Sequence, residues 1–196
     1  PAPPPPAPPP PDLTGFAYSP HRLASNVNSF DVPKEITQEW ARLLGYLVGD
    51  GSCKPKSTIW LSVAENDICE DMTCLLRQLF GTVGVTPDKR SAVLRTVRAS
   101  SCRGRAFLAY LGLGYVGAAE KEVPWAVNCS PEPVVRAFLQ GYFETDGHVG
   151  PSGIEVTTKS EKLAKQVQLL LLQMGVVSRR AAKVVGRYGT FWRLDI

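Results

Sequence analysis

The chain has 196 residues, a formal net charge of +4 and a hydrophobic content of 44%. This length suits one large domain or two small ones, and no apolar run reaches the roughly 18 residues of a membrane span. Five cysteines without a CxxC pair and only two histidines argue against a disulfide scaffold, a structural zinc site and a Ser-His-Asp triad. We therefore expect an intracellular protein of the cytoplasm or nucleoid, and the mildly basic charge permits a nucleic-acid partner.

The N-terminal segment, residues 1–32, is predicted to be a proline-rich linker or arm. Residues 1–11 contain only proline and alanine, which favours a stiff polyproline II spacer. A docking site for a domain that binds polyproline II is the alternative. Residues 12–32 show no clear hydrophobic period, so we expect no regular element there.

An internal duplication is the most informative feature of the chain. The segment Glu39–Gly51 resembles Val135–Gly147, and five of its residues recur 96 positions later. The recurring residues of the first copy are Leu43, Gly45, Tyr46, Asp50 and Gly51, and those of the second are Leu139, Gly141, Tyr142, Asp146 and Gly147.

The segments that follow each copy also correspond. A β-rich run is followed by an amphipathic helix with apolar residues at i, i+4, i+7, i+8 and i+11, then by a Gly-Val pair and basic, β-prone segments. Residues 103–112 add a closing helix to the first copy only. We therefore predict an α+β fold with two units related by a pseudo-two-fold axis, at residues 33–120 and 121–196.

The duplicated helix carries two features that need a physical reason. Gly45 and Gly49 lie four residues apart, matched by Gly141 and Thr145, although each glycine inside a helix costs about 1 kcal/mol relative to alanine. Close packing of the two helices would offset this cost. An aspartate at a helix C-terminus also opposes the helix dipole.

If the two helices pack side by side, Asp50 and Asp146 come together, and two carboxylates that share a site repel each other. A divalent cation such as Mg²⁺ would remove this repulsion and would take its remaining ligands from water and substrate phosphate. The alternative is purely structural: an Asp-Gly pair after an apolar helix is a common helix stop.

The two motifs resemble those of the LAGLIDADG homing endonucleases. Residues Leu43–Gly51 (LLGYLVGDG) are similar to the first signature motif and Leu139–Gly147 (LQGYFETDG) to the second, although Thr145 replaces the usual alanine or glycine. The stretch Lys121–Pro124 (KEVP) resembles intein-encoded members. This resemblance implies a monomer of two αββαββ(α) units around paired motif helices, with a DNA-binding β-saddle.

The resemblance further implies a sequence-specific double-strand DNA endonuclease that acts on a long, pseudo-palindromic or asymmetric site. Asp50 and Asp146 would bind Mg²⁺, for which Mn²⁺ or Ca²⁺ could substitute, with help from the backbone carbonyls of Gly49 and Thr145. A lysine would organise the water at each active site. Lys183 is the candidate in the second unit, Lys89 or Arg90 in the first, and Lys121 is a further possibility.

Basic residues in the predicted strands are the candidates for DNA contacts. Arginine recognises guanine with two hydrogen bonds and lysine mostly neutralises phosphate, but the sequence does not separate these roles. The candidates are Lys54, Lys56, Arg90, Arg95, Arg98, His148, Arg179, Arg180, Arg187 and Arg193.

Two other functions remain to be compared with the nuclease. A non-cleaving nucleic-acid-binding protein on the same fold, such as an intron maturase or a transcription regulator, would not need two carboxylates beside phosphates. Protein splicing is not expected, because the sequence shows neither a His-Asn ending nor an N-terminal nucleophile.

Overall fold

The computed structural model describes residues 9–19, 31–53, 58–88, 91, 93–151 and 153–196. The elements alternate in the same order twice along the chain, which confirms the α+β class. The first unit contains α1 (Gln38–Gly49), β1 (Ser52–Cys53), β2 (Thr58–Val63), α2 (Asn66–Phe80), β3 (Gly84–Pro87), β4 (Arg95–Ser100) and α3 (Cys102–Tyr110). After a short helix α4 (Trp125–Asn128), the second contains α5 (Glu132–Asp146), β5 (Gly147–Gly150), β6 (Gly153–Thr158), α6 (Glu161–Gln173), β7 (Arg179–Val184) and β8 (Thr190–Asp195).

Each unit forms one four-stranded antiparallel sheet. The strand orders are β1-β2-β4-β3 and β5-β6-β8-β7, so corresponding strands occupy the same places in the two sheets. The duplication seen in the sequence is therefore a duplication of topology as well.

Helices α1 and α5 pack directly against each other at the centre of the molecule. A Cβ atom on Gly45 would lie 2.2 Å from the carbonyl oxygen of Phe138, and one on Gly141 would lie 2.3 Å from the carbonyl oxygen of Arg42. Any side chain would collide with the partner backbone at these two positions. The predicted close approach of the helices thus explains both glycines.

The two faces of each sheet differ in burial. In the first sheet, Ile59, Leu61 and Val97 are buried beneath the helices, whereas the alternate residues Trp60 and Arg98, which lie opposite each other, are on the other side. Strand side chains alternate between faces, so the second sheet likewise buries Val156 and Leu194. We call the side of each sheet turned away from its helices the open face.

Residues 9–19 of the N-terminal arm contact the core, which the sequence pattern does not predict. Leu13 is fully buried within the hydrophobic core, and its N–H donates to the carbonyl of Lys34 at 2.8 Å. The Phe16 ring packs edge-on against Phe107 of α3 with the centroids 5.0 Å apart. Of the two predicted alternatives, linker or arm, the contacts of Leu13 and Phe16 fit an arm, because two apolar side chains without a period are enough to anchor it.

This anchor gives a testable stability effect. We expect Leu13→Ala to lower the free energy of unfolding by about 2–5 kcal/mol, the usual range for emptying a fully buried leucine site. The matched control is Leu172→Ala on the outer side of α6, where the side chain is 57% exposed and a change within about 0.5 kcal/mol is expected. Urea titrations of both variants measure the difference, and equal midpoints would show that the arm adds no stability.

Among the described residues, none of the helices has both the length and the apolar character required to cross a bilayer.

Candidate metal and nucleic-acid site

The two motif aspartates lie at the same end of the paired helices. Asp50 caps the C-terminus of α1, and Asp146 is the last residue of α5. The contacts of α1 with α5 advance in the same direction along both helices, from Gly45 beside Tyr142 to Gly49 beside Asp146. A Cβ atom on Gly49 would lie 2.0 Å from Oγ1 of Thr145 and 3.6 Å from the carboxyl carbon of Asp146. The structure therefore brings the two acidic helix ends together.

The surroundings of this acidic pair disfavour its negative charge. Burial raises the pKa of Asp146 to about 6, and the nearby charge of Asp50 adds to the effect. Burial also raises the pKa of Asp50, and the charge of Glu65 adds to it. Two partly desolvated carboxylates in one place form a site at which a cation is favoured.

A lysine from the connection between the units occupies this end of α1. The Nζ atom of Lys121 donates to the carbonyl of Val48 at 2.6 Å and to the carbonyl of Gly49. Its positive charge opposes the rise in pKa of both Asp50 and Asp146. The helix end and the acidic pair thus already attract one cationic group.

The oxygen atoms at the site suit a divalent metal ion. Two carboxylates and the carbonyl of Gly49 are hard ligands of the type that Mg²⁺ prefers. The hydroxyl of Thr145 donates to the carbonyls of Gly141 and Tyr142 at 3.2 and 3.0 Å, so this side chain stays within its own helix. In the part of the chain that the structure describes, no group of three or more His, Cys, Asp or Glu side chains is arranged to hold a metal ion. A metal ion would therefore depend on water and a substrate phosphate for further ligands.

Of the two lysines that the sequence favours, Lys183 and Lys89, the structure describes Lys183. Lys183 lies on β7, the strand of the second sheet that is farthest in strand order from β5, which follows Asp146 directly. Lys89 lies outside the described residues. Among the lysines that the structure describes, Lys121, which the sequence offers as a further possibility, lies beside the acidic pair.

Most of the described DNA-contact candidates occupy the open faces. Arg98 lies opposite Trp60 on the first sheet. On the second sheet, Arg179 and Glu155 both lie opposite Asp195, and His148 lies opposite Glu155.

Two more DNA-contact candidates, Arg193 and Arg187, belong to the second sheet and its turn, as does Lys183, the candidate active-site lysine. Arg193 shares the open face with Asp195 because the two residues alternate with Leu194 along β8. Lys183 lies opposite Phe191, which follows the same alternation, and is therefore on that face as well. Arg187 lies in the turn before β8, with its guanidinium 5.1 Å from the centre of the Tyr188 ring.

Two candidates lie on the helix-covered side instead. The guanidinium of Arg180 is 5.3 Å from the centre of the Trp192 ring and 3.5 Å from the carboxylate of Glu161 on α6. Arg95 lies opposite Val63 and so shares the face of the buried strand residues. Because their side chains face away from the open faces, Arg180 and Arg95 leave the set of expected DNA contacts.

Three further candidates, Lys54, Lys56 and Arg90, lie outside the described residues.

The open faces also carry acidic residues that the sequence pattern does not predict. Glu155 and Asp195 flank Arg193 on the second sheet. On the first, the carboxylate of Asp88 accepts hydrogen bonds from the hydroxyls of Ser62 and Thr96 at 2.8 and 3.2 Å. A search for basic residues passes over such carboxylates, and only the strand register could have revealed them.

The raised pKa of Asp146 predicts a pH dependence of stability. The folded state holds a proton on this group up to about pH 6, whereas the ordinary value is 3.8. Stability from this group is therefore greatest at low pH and falls as the pH rises from about 4 to 6, by up to about 3 kcal/mol. Urea unfolding of the wild type and of Asp146→Asn at several pH values isolates the contribution of the Asp146 carboxylate to stability. Mg²⁺ should restore stability to the wild type alone above pH 6. Parallel pH curves for the two proteins would contradict the burial of this charge.

Comparisons with known proteins agree with this architecture. Residues 133–196 match the model of the LAGLIDADG-like domain. The homing endonuclease I-DmoI, solved in complex with DNA and Ca, superposes with a TM-score of 0.58 at 16% identity over 81% of this chain and 82% of that chain. The N-terminal LAGLIDADG domain of WhiA superposes with a TM-score of 0.55 at 13% identity over 81% of this chain and 75% of that chain. At these identities the two structures establish the fold.

The curated relatives include a DNA polymerase and replicative DNA helicases. The chain is 32% identical over 166 residues to a DNA polymerase of Thermococcus hydrothermalis, covering 80% of the chain and 9% of the relative. It is 29% identical over 170 residues to the replicative DNA helicase DnaB of a Nostoc species, covering 79% and 19%. It is 28% identical over 171 residues to the replicative DNA helicase DnaB of Rhodothermus marinus, covering 79% and 18%.

The chain therefore spans less than a fifth of the length of these relatives. A segment that recurs inside both a polymerase and a helicase is expected of an element inserted into host genes. This recurrence supports the intein connection. Together with the family match and the fold, it confirms the resemblance of the chain to the LAGLIDADG homing endonucleases.

Proposed function

We propose that the chain is a metal-dependent, sequence-specific endonuclease that cleaves both strands of DNA. The observation that carries this proposal is the meeting of Asp50 and Asp146 at the joined ends of α1 and α5, where burial disfavours their negative charge. A protein that only binds DNA gains nothing from two such carboxylates, because they repel the phosphates.

The roles of the residues follow from their positions. The carboxylates of Asp50 and Asp146 would hold Mg²⁺, and the backbone carbonyls of Gly49 and Thr145 would be further ligands. When bound, such an ion would lower the pKa of a water and stabilise the leaving oxygen of the phosphodiester. Lys121 fixes the carbonyl of Gly49 through its ammonium group and offsets part of the negative charge of the pair.

The open faces of the two sheets provide the binding surface. Both sheets begin directly after an acidic helix end, because β1 follows Asp50 and β5 follows Asp146. DNA that lies across both open faces therefore passes the acidic pair. The proposed contacts from the described residues are Arg98, His148, Arg179, Lys183, Arg187 and Arg193. A single chain supplies both motifs, so we propose a monomer on one long DNA site.

The second candidate function is sequence-specific binding without cleavage on the same fold. The structural similarity to the LAGLIDADG domain of WhiA is the reason to consider this function. That similarity shows the fold and does not decide the activity. The deciding experiment incubates the purified chain with a randomised DNA library in Mg²⁺ or EDTA and sequences the new ends. A defined set of double-strand ends that depends on Mg²⁺ supports the nuclease, whereas enriched but uncut DNA would support the binding protein.

Lys121 provides a finer test of the site. We expect Lys121→Met to lower the cleavage rate by about 10- to 100-fold, the usual cost of removing a group that orients a metal ligand. Loss of its positive charge should also raise the pKa of Asp50 and Asp146, so activity should fall more at pH 6 than at pH 8 and the pH–rate profile should shift to higher pH. The control is Lys165→Met, which removes an exposed lysine that pairs with Glu161 on α6. An unshifted profile would show that Lys121 acts only in folding.

A further inference from the structure

Arg193 is held in a fixed orientation on the open face of the second sheet. Its Nε lies 2.8 Å from Oδ1 of Asp195, and its Nη2 lies 3.2 Å from Oδ2 of the same carboxylate. This two-point contact is the parallel pairing that the planar guanidinium forms best. A paired arginine of this kind keeps its direction, unlike a free surface side chain.

The side chains of Arg193 and Asp195 face away from the protein interior. Leu194, between Arg193 and Asp195, is 1% exposed and belongs to the core, so its two neighbours point to the opposite side. Arg193 and Asp195 keep intermediate exposure, with 41% and 34% of their side chains accessible. Glu155, directly opposite Asp195 on β6, places a carboxylate oxygen 3.6 Å from Nη1 of Arg193.

The surroundings of Arg193 favour a neutral acceptor over a phosphate. Two carboxylates lie within 4 Å of its guanidinium, and Arg179 stands beyond Asp195 on the next strand. A phosphate brought to Arg193 would meet both carboxylates and be repelled. The acceptors O6 and N7 of guanine carry no net charge and match the fork of an arginine.

The geometry leaves one edge of the fork available for such a base. Asp195 takes the edge formed by Nε and Nη2, and the contact of Glu155 with Nη1 is longer than a hydrogen bond. The edge formed by Nη1 and Nη2 is the second one at which arginine pairs in parallel.

We propose that Arg193 recognises one guanine of the DNA site through this edge, with Asp195 as the residue that orients it and Glu155 as the carboxylate that keeps phosphate away. The proposal rests on the proposed function only in requiring that DNA lies on the open faces. The proposal assigns Arg193 to a base contact, whereas the sequence alone does not distinguish base contacts from phosphate contacts.

The test is a binding selection from a randomised DNA library, in EDTA so that no cleavage occurs, followed by sequencing. The full chain is compared with Arg193→Lys, which keeps the charge and removes the fork, and with Asp195→Asn, which removes the orienting carboxylate. Arg180→Lys is the matched control, since Arg180 also contacts a carboxylate and a neighbouring strand, but on the helix-covered side.

The wild type should select a site with guanine at one defined position. Arg193→Lys should lose the preference for guanine there by about 5- to 150-fold and keep the preferences elsewhere. Asp195→Asn should weaken the same position while raising affinity for all DNA, because a negative charge is gone. Arg180→Lys should select the wild-type site.

Three results would overturn the proposal. If Arg193→Lys selects the same base at every position, or loses affinity equally for all sequences, Arg193 does not recognise a base, while the proposed endonuclease function stands. If the wild type selects no sequence at all, the proposed function and the role of Arg193 fall together.

Discussion

Replacing Asp146 with asparagine is expected to abolish double-strand cleavage, and so is replacing Asp50. Each substitution removes one of the two carboxylates that would hold Mg²⁺, and losses of about 10²- to 10³-fold or more are typical when a positioned charge-stabilising group is removed. The measurement is the Mg²⁺-dependent cleavage of a DNA site selected from the library.

The fold should survive these two substitutions. Asparagine has nearly the shape of aspartate, and its neutrality removes the repulsion within the pair, so the unfolding midpoint at neutral pH should stay level or rise. Asp67→Asn, at an exposed position in the first turn of α2, is the control and should retain cleavage. Normal cleavage by Asp50→Asn or Asp146→Asn would exclude the metal role of that residue.

The second large effect concerns the packing of the two central helices. We expect Gly45→Ala and Gly141→Ala each to destabilise the chain by about 3 kcal/mol or more, at the upper end of overpacking effects. The added methyl groups would lie 2.2 and 2.3 Å from backbone oxygens of the partner helix, and a backbone cannot move aside as the end of a side chain can. Thermal and urea unfolding measure the loss.

A glycine in open surroundings provides the control for this effect. At Gly117 a Cβ atom would meet only a carboxylate oxygen of Glu120 at 3.6 Å, so Gly117→Ala should be neutral or slightly stabilising through the unfolded state. If Gly45→Ala were equally neutral, the helices would not touch as the structure shows. Cleavage should also fall in the two destabilised variants, since separated helices carry Asp50 away from Asp146.

The features that the sequence predicted well are those fixed by repetition and local chemistry. The recurrence of Gly45 as Gly141 and of Asp50 as Asp146 indicated two equivalent helices in contact, and the backbone contacts at both glycines confirm the reason. The order of helices and strands followed from hydrophobic periods that the two copies share. Such patterns depend on neighbours in sequence, so they can be recognised without coordinates.

The features that escaped prediction depend on contacts distant in sequence. Lys121, which the sequence offers only as one of several candidate lysines, reaches the end of α1 more than 70 residues earlier in the chain, and nothing near it in sequence specifies that reach. The side on which Arg180 lies follows from its register with Leu194, which strand composition does not encode. The burial of Leu13 is not predicted, because a single buried residue in a linker or arm has no period.

The central claim is that Asp50 and Asp146 hold one divalent cation between them. It is tested most directly by titrating Mn²⁺ into the chain with ¹³C-labelled aspartate, bound to its selected DNA site with a non-hydrolysable linkage, and following the carboxyl signals. We predict that the signals of both aspartates broaden together at the same Mn²⁺ concentration, while that of exposed Asp67 stays sharp. Broadening of only one of the two, or of neither, would contradict a shared metal site.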